Sequence, residues 1–169
     1  MPSSDPQASQ GDHPRGDPQL KLVVFSVEDE RYALRLPVVE RVLPMVAVSP
    51  LPKAPAVALG VINLHGAVVP VLDIRRRLGL PPRDYGLTAH LLVARTSRRT
   101  VALPVDEVLG VSDVAAEAIT LPAAVLPGIR QVEGIVALAD GLLFIHDLER
   151  FLSLDEERRL AEALDEAEA

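Results

Sequence analysis

The chain has 169 residues, no cysteine and a formal net charge of −7. That length suits one ordinary domain or two very small ones, and the missing cysteine excludes disulfides, thiolate nucleophiles and Cys-ligated metals while suiting a reducing cytoplasm. The charge sits at the ends: residues 1–19 hold three acids and one Arg, residues 155–169 seven acids and two Arg, and the body between them 14 of each sign, so nucleic acid and anionic membrane surfaces are not expected partners.

Residues 1–19 contain four prolines and lack the charged-then-apolar order of a signal peptide; they are expected to form a disordered arm. No run of about 18 apolar residues is present to span a membrane. From Leu20 the text consists of short β-type runs: LKLVVFSV, the polar turn EDER, then YALRLPVV. Residues 44–59 hold four prolines and read as a loop with one helical turn in PAVAL. VINL and AVVPVL flank His65-Gly66, a hairpin turn, and Asp73 is placed to cap a short helix, IRRRL, ended by Gly79 and Pro81-Pro82. HLLVART, SRR and TVALPV then make another hairpin, and TLPAAVLPG is again a Pro-bearing loop. GIVAL and LLFIH flank Asp140-Gly141, a type I′ hairpin signal, and Asp147 can cap LERFL. Ser153 and Glu156 form a capping box that opens a last helix, with Leu154, Ala161 and Leu164 facing inward.

Two phrases recur. GVINLHGAVVPVLDI from Gly60 and GIVALADGLLFIHDL from Gly134 align at an offset of 74, which also carries Asp73 onto Asp147. LPVVE (Leu36–Glu40) and LPVDE (Leu103–Glu107) align at an offset of 67. A unit of about 70 residues is too long for a solenoid repeat but suits one small barrel of about five strands. The fold expected is therefore mainly β: two such barrels packed side by side, with short helices, a C-terminal helix, and a cleft between the barrels as the binding surface. The alternative is one larger sandwich with chance similarity.

No catalytic constellation emerges. The four histidines form no metal-ligand pair; His13 lies in the arm, and His90 and His146, within apolar runs, read as satisfied or edge histidines. Asp73 and Asp147 stand just before helical runs, where capping explains them better than paired acid–base chemistry. Arg75-Arg76-Arg77 and Arg98-Arg99 read as solvated faces. No cofactor and no metal are expected, and the chain is not expected to be an enzyme.

GVINLHGAVVPVLDIRRRLGL closely resembles the CheW-like coupling-protein family of bacterial chemotaxis, whose typical text is a Gly-Val-x-Asn-Leu-Arg-Gly run, a Val-Pro-Val run and Asp-Leu-Arg. The likeness extends from about Leu20 to Leu154, through FSVEDERYAL, LPVVERVL, Asp84-Tyr85, VALPVDEVLGV and GIVALADGLLFIHDLERFL. It implies two SH3-like five-stranded barrels and a non-catalytic cytoplasmic adaptor. The implied partners are the regulatory domain of a CheA-type histidine kinase and the cytoplasmic tip of chemoreceptors. Residue by residue, it places Glu40 on the family's first-barrel Glu, with Val38 and Val111 around the receptor-binding groove. Gly60 and Gly66 match family glycines, for backbone reasons. One departure stands out: His65 occupies the place of the family Arg, and imidazole cannot make a guanidinium's bidentate fork.

The domain plan that follows is an arm at 1–19, a body at 20–154 and an acidic helix or tail at 155–169. The body divides into barrels of roughly 20–90 and 91–154, with exchange of strands allowed. With so little chain outside the body, a stand-alone adaptor is expected, serving chemotaxis or surface motility. Two other readings remain: a non-standard adaptor that joins a kinase without a receptor, and a small ligand-binding protein or enzyme with a site between the barrels.

Overall fold

Runs that are apolar at every position, rather than every second one, need partners on both faces, and two hairpins of that kind build the centre of the molecule. In a computed structural model, which describes residues 19–121 and 132–168, they are β1 (Gln19–Val27) with β2 (Glu30–Arg35) and β6 (His90–Arg95) with β7 (Thr100–Val105). The other strands are β3 (Val39–Pro44), β4 (Ala58–Leu64), β5 (Ala67–Leu72), β8 (Glu107–Ala115), β9 (Ile119–Thr120), β10 (Val132–Leu138) and β11 (Gly141–His146). They form two sheets, ordered β8-β1-β2-β11-β10-β9 and β3-β6-β7-β5-β4. Three short 3-10 turns (Leu36–Val38, Ala116–Ala118, Leu148–Arg150) and two helices, α1 (Ile74–Arg77) and α2 (Leu154–Glu168), complete the described residues.

The repeat is structural. The offset of 74 carries β4 onto β10 and β5 onto β11, end to end, with a register shift at Gly60 matched by one at Gly134. Both sheets have the same plan: a hairpin, an antiparallel edge strand on one side and the repeated hairpin joined in parallel on the other. Neither sheet is one continuous half of the chain. After β2 the chain leaves for the second sheet as β3, and after β7 it leaves for the first as β8. A barrel boundary at 90/91 therefore does not separate the sheets, because each sheet borrows its central hairpin from the other half.

Packing follows that exchange. Leu22, Val24, Ala33, Val136, Leu143 and Ile145 fill the inside of the first curled sheet. Ile62, Val69, Val71, Leu91, Val93 and Ala102 fill the second. The alternate residues, among them Val23, Phe25, Leu34, Leu92, Ala94 and Leu103, meet between the sheets in the largest core. That core also takes Leu160, Ala163 and Leu164 of α2. The cleft expected between the barrels is thus filled with packed side chains.

Several local expectations hold and others need correction. Ser153 and Glu156 make the reciprocal capping box (2.9 and 3.1 Å), and Asp73 caps α1 by accepting from the Arg75 amide at 3.1 Å. Asp147 does the same for Glu149 at 3.1 Å. Leu154 is 79% exposed instead of inward, since the buried stripe of α2 runs through Leu160, Ala163 and Leu164. The segment expected as a helix or tail beyond 154 is a helix, packed on the body through Leu160, Ala163 and Leu164. PAVAL makes a turn and enters β4 without a helical turn. The His65-Gly66 turn has positive φ at both residues (53° and 88°), as type I′ requires. Asp140 does not lie in the positive-φ region, so the Ala139-Asp140 turn is not type I′.

Of the arginine triplet only Arg76 is a solvated residue. Arg75 is 1% exposed; its guanidinium donates to the Pro81 carbonyl at 2.7 and 3.0 Å and pairs with Glu28 at 2.8 Å. Arg77 pairs with Glu156 and lies over the Phe151 ring, and Arg99 pairs with Glu157, which ties α2 to the body. Among the described residues no helix is long and apolar enough to cross a membrane. Of the arm expected at 1–19, residues 1–18 lie outside the described residues and Gln19 opens β1; most of the second Pro-bearing loop lies outside them as well.

Gly60 and Gly66 act in different ways. A Cβ on Gly60 would stand 2.1 Å from the Ser49 carbonyl, because the loop at Ser49 bridges to Val61 there; on Gly66 it would meet nothing. Gly60→Ala is accordingly expected to cost about 3 kcal/mol by urea denaturation, and Gly66→Ala about 1 kcal/mol for its positive φ. Equal losses for the two would remove the close-approach explanation.

Candidate functional site

β3 carries Glu40, and Val38 stands in the turn just before it. It is an edge strand with little burial, and it follows the turn Leu36–Val38 that carries the chain from one sheet to the other. Val38 is half-buried, packs against the inter-sheet core and lines a groove at the sheet rims. Glu40 sits where the register slips between Val39 and Arg41, exposed, with its carboxylate 3.7 Å from Arg95 of β6. His65 projects from the β4–β5 turn, on the far edge of the same sheet, yet its Nε2 is 3.0 Å from Nη1 of Arg41. The sheet curls enough for its two edges to be bridged by these side chains. As guanidinium can only donate, the contact uses an imidazole nitrogen as acceptor. Val111 is apart from the other three, 57% exposed on the edge strand β8 of the other sheet. The structure thus gathers Val38, Glu40 and His65 around β3 and places Val111 elsewhere.

The repeated turn has an analogous clamp. Asp140, near the place equivalent to His65, accepts from Arg31 of β2 at 2.6 Å, and that arginine holds its carboxyl below the usual range.

The groove beside Val38 is lined by Arg35, Arg95, Glu133, His146, Asp147, Leu148 and Glu149. Its charged groups have partners: Arg35 donates to Glu133 at 2.6 Å, and Glu149 accepts from the Ser97 amide and hydroxyl at 2.6 and 2.8 Å. His146 was expected to be satisfied or at an edge; instead it is 2% exposed, and neither ring nitrogen has a hydrogen-bond partner. Strand alternation could have placed it. It lies two residues beyond Phe144, on the face turned to the inter-sheet core, although nothing in LLFIH says that this face is covered. Burial, and secondarily the Arg77 charge, lower its pKa to about 4. Among the described residues no group of three or more His, Asp or Glu is arranged to hold a metal.

The family model described as the CheW-like domain matches residues 21–156. The chain is 30% identical over 135 residues to the probable chemotaxis protein CheW of Rhizobium etli, covering 79% of this chain and 87% of that protein. It is 25% identical over 153 residues to the chemotaxis protein CheW of Treponema pallidum, covering 86% and 89%. Among solved structures, the scaffolding protein TtCheW from Thermoanaerobacter tengcongensis matches with a TM-score of 0.74 at 28% identity, covering 82% of this chain and 96% of that one.

The buried imidazole has a measurable consequence. Its folded-state pKa of about 4 lies below the ordinary 6.5, so as pH falls the unfolded chain takes up a proton that the folded chain refuses. Stability from this group is complete above pH 6.5 and is lost as pH falls toward 4, by up to roughly 3 kcal/mol. Urea denaturation between pH 7.5 and 4.5 should show this slope, and His146→Phe should remove that part of it. An unchanged slope in the variant would mean that the ring titrates normally.

Proposed function

The chain belongs to the CheW-like family, and from that membership we propose that it is a non-catalytic adaptor coupling a CheA-type histidine kinase to chemoreceptors. In this reading the body binds the kinase's regulatory domain and the cytoplasmic tip of the receptor. The observation that carries it is the placement of Glu40: a carboxylate on an exposed edge strand, beside a rim groove, on a body whose inter-sheet space is packed solid. Such a body offers partners an outer surface and no enclosed substrate chamber between the sheets. Val38 supports Glu40 from the groove wall, and Val111 supplies an apolar contact on the other edge strand. Binding of neither the kinase regulatory domain nor a receptor tip in calorimetric titration would refute the proposal.

A second reading, an adaptor that joins a kinase without a receptor, draws on His65. The turn itself carries no arginine, and His65 is turned to Nη1 of Arg41 within the chain.

Two substitutions test these assignments. Glu40→Lys should leave stability within about 0.5 kcal/mol, because its pair with Arg95 is long and solvated. The same change should weaken partner binding by about 1–3 kcal/mol through charge reversal at a complementary surface; unchanged affinity for both partners removes Glu40 from the interface. His65→Arg sets two guanidinium groups side by side, so one must turn into solvent as a free cation. Affinity for an acidic partner surface should then rise up to about tenfold at low salt, and the gain should shrink as salt is added. A gain independent of salt would contradict this account.

A further inference from the structure

Among the described residues every arginine except Arg41, Arg76 and Arg98 pairs with a carboxylate of the chain. Arg76 and Arg98 are exposed surface cations. Arg41 is exposed too, but its guanidinium is held: Nη1 donates to Nε2 of His65 at 3.0 Å. The acceptor is itself carried on a closed turn. His65 lies in the left-handed region (φ 53°), and Asn63 fastens the turn by accepting from the Gly66 amide at 2.9 Å. A neutral imidazole gives the guanidinium a hydrogen bond but no counter-charge. Glu40, the preceding residue, does not supply one, because its carboxylate lies 3.7 Å from Arg95 instead.

Holding the group by Nη1 decides which edge is left. A guanidinium can grip a planar anion through Nε and Nη2, and neither of these atoms of Arg41 donates to a described residue. Arg35 shows within the same chain what that edge takes: its Nε and Nη2 meet one Glu133 carboxylate at 2.6 and 2.5 Å. A carbonyl would satisfy the two donors and leave the charge unmatched. A carboxylate satisfies both.

We infer that Arg41 is a partner-binding residue that presents its Nε–Nη2 edge to one Asp or Glu of the partner protein, with His65 as the residue positioning it. The inference rests on the adaptor reading and adds to it the chemistry of one contact. A guanidinium fixed before binding gives up less side-chain freedom when the ion pair forms.

Four variants separate charge, fork and positioning. Arg41→Gln removes charge and fork, and Arg41→Lys keeps a charge without a fork. His65→Leu removes the acceptor, and His65→Gln restores one at similar reach. Each is titrated calorimetrically, beside wild type, against a kinase regulatory domain and a receptor tip, with urea denaturation as the control for folding. Arg41→Gln should bind one of the two partners about tenfold more weakly and the other equally well. Arg41→Lys should recover less than about threefold of that loss. His65→Leu should bind the same partner about threefold more weakly, and His65→Gln should restore the affinity. Changing that partner's Asp and Glu singly to Asn and Gln should find one position with the tenfold loss, and the loss should vanish against Arg41→Gln. Equal affinity of wild type and Arg41→Gln for both partners, or a loss coupled to no partner carboxylate, overturns the inference while leaving the adaptor reading intact. His65→Leu that binds as wild type does overturns the positioning role. Wild type that binds neither partner overturns the inference and the adaptor reading together.

Discussion

The whole arrangement depends on two hairpins, β1–β2 and β6–β7, being buried on both faces. One face of each lines its own curled sheet, and the other meets its counterpart in the inter-sheet core. Neither sheet could hold that second face alone, because Val23, Phe25, Leu34, Leu92, Ala94 and Leu103 would stand in water; at about 25 cal/mol per Å², their mutual burial is the main reason the halves are inseparable. The exchange of β3 and β8 follows from the same constraint. Each strand leaves a hairpin that is already covered and pairs with the open edge of the other sheet's hairpin.

Charged groups secure the crossings. Where β7 passes into β8, Asp106 accepts from the Glu28 amide at 2.8 Å, and Arg83 joins Glu28 to Asp106 at 3.1 and 2.8 Å. Arg75 reaches the same Glu28 from α1. The β1–β2 turn of one sheet is thereby fastened to the helix and loop that follow β5 of the other. Tyr85 closes the set by donating to Asp73 at 3.0 Å; burial, and then the Asp73 carboxylate, raise its hydroxyl pKa. Nearly all these partners are spent inside the fold.

Against that background the β3 rim differs in kind. Glu40 and Arg95 are exposed and loosely paired, Val38 is only half covered, and His146 beneath them lacks any partner. Elsewhere most polar groups are matched, although Arg75 Nη1, His90 Nδ1 and Arg99 Nε are also buried without a partner. An adaptor has use for such a surface, since contacts unfinished in the free protein can be finished by a partner without disturbing the core.

Much of this was legible in the residues themselves. The short apolar β-type runs, the Asp73 and Asp147 caps, the Ser153–Glu156 box and the offset of 74 are local chemistry or simple repetition, so the text alone determined the hairpins, the capped turns and the doubled plan. The same residues carried the family resemblance, and with it Glu40 and Val38. Tertiary structure alone decided which hairpin joins which sheet, because β1–β2 and β6–β7 carry the same apolar signal and only their packing tells neighbours apart. It turned Arg75 from an apparent surface charge into a buried anchor, since Glu28 lies far away in sequence. It set Gly60 against the Ser49 carbonyl and brought Arg41 to His65 across the curl of a sheet. His146 shows the limit most plainly: alternation gives its face, but only the fold determines that this face is covered by other residues and supplied with no hydrogen-bond partner.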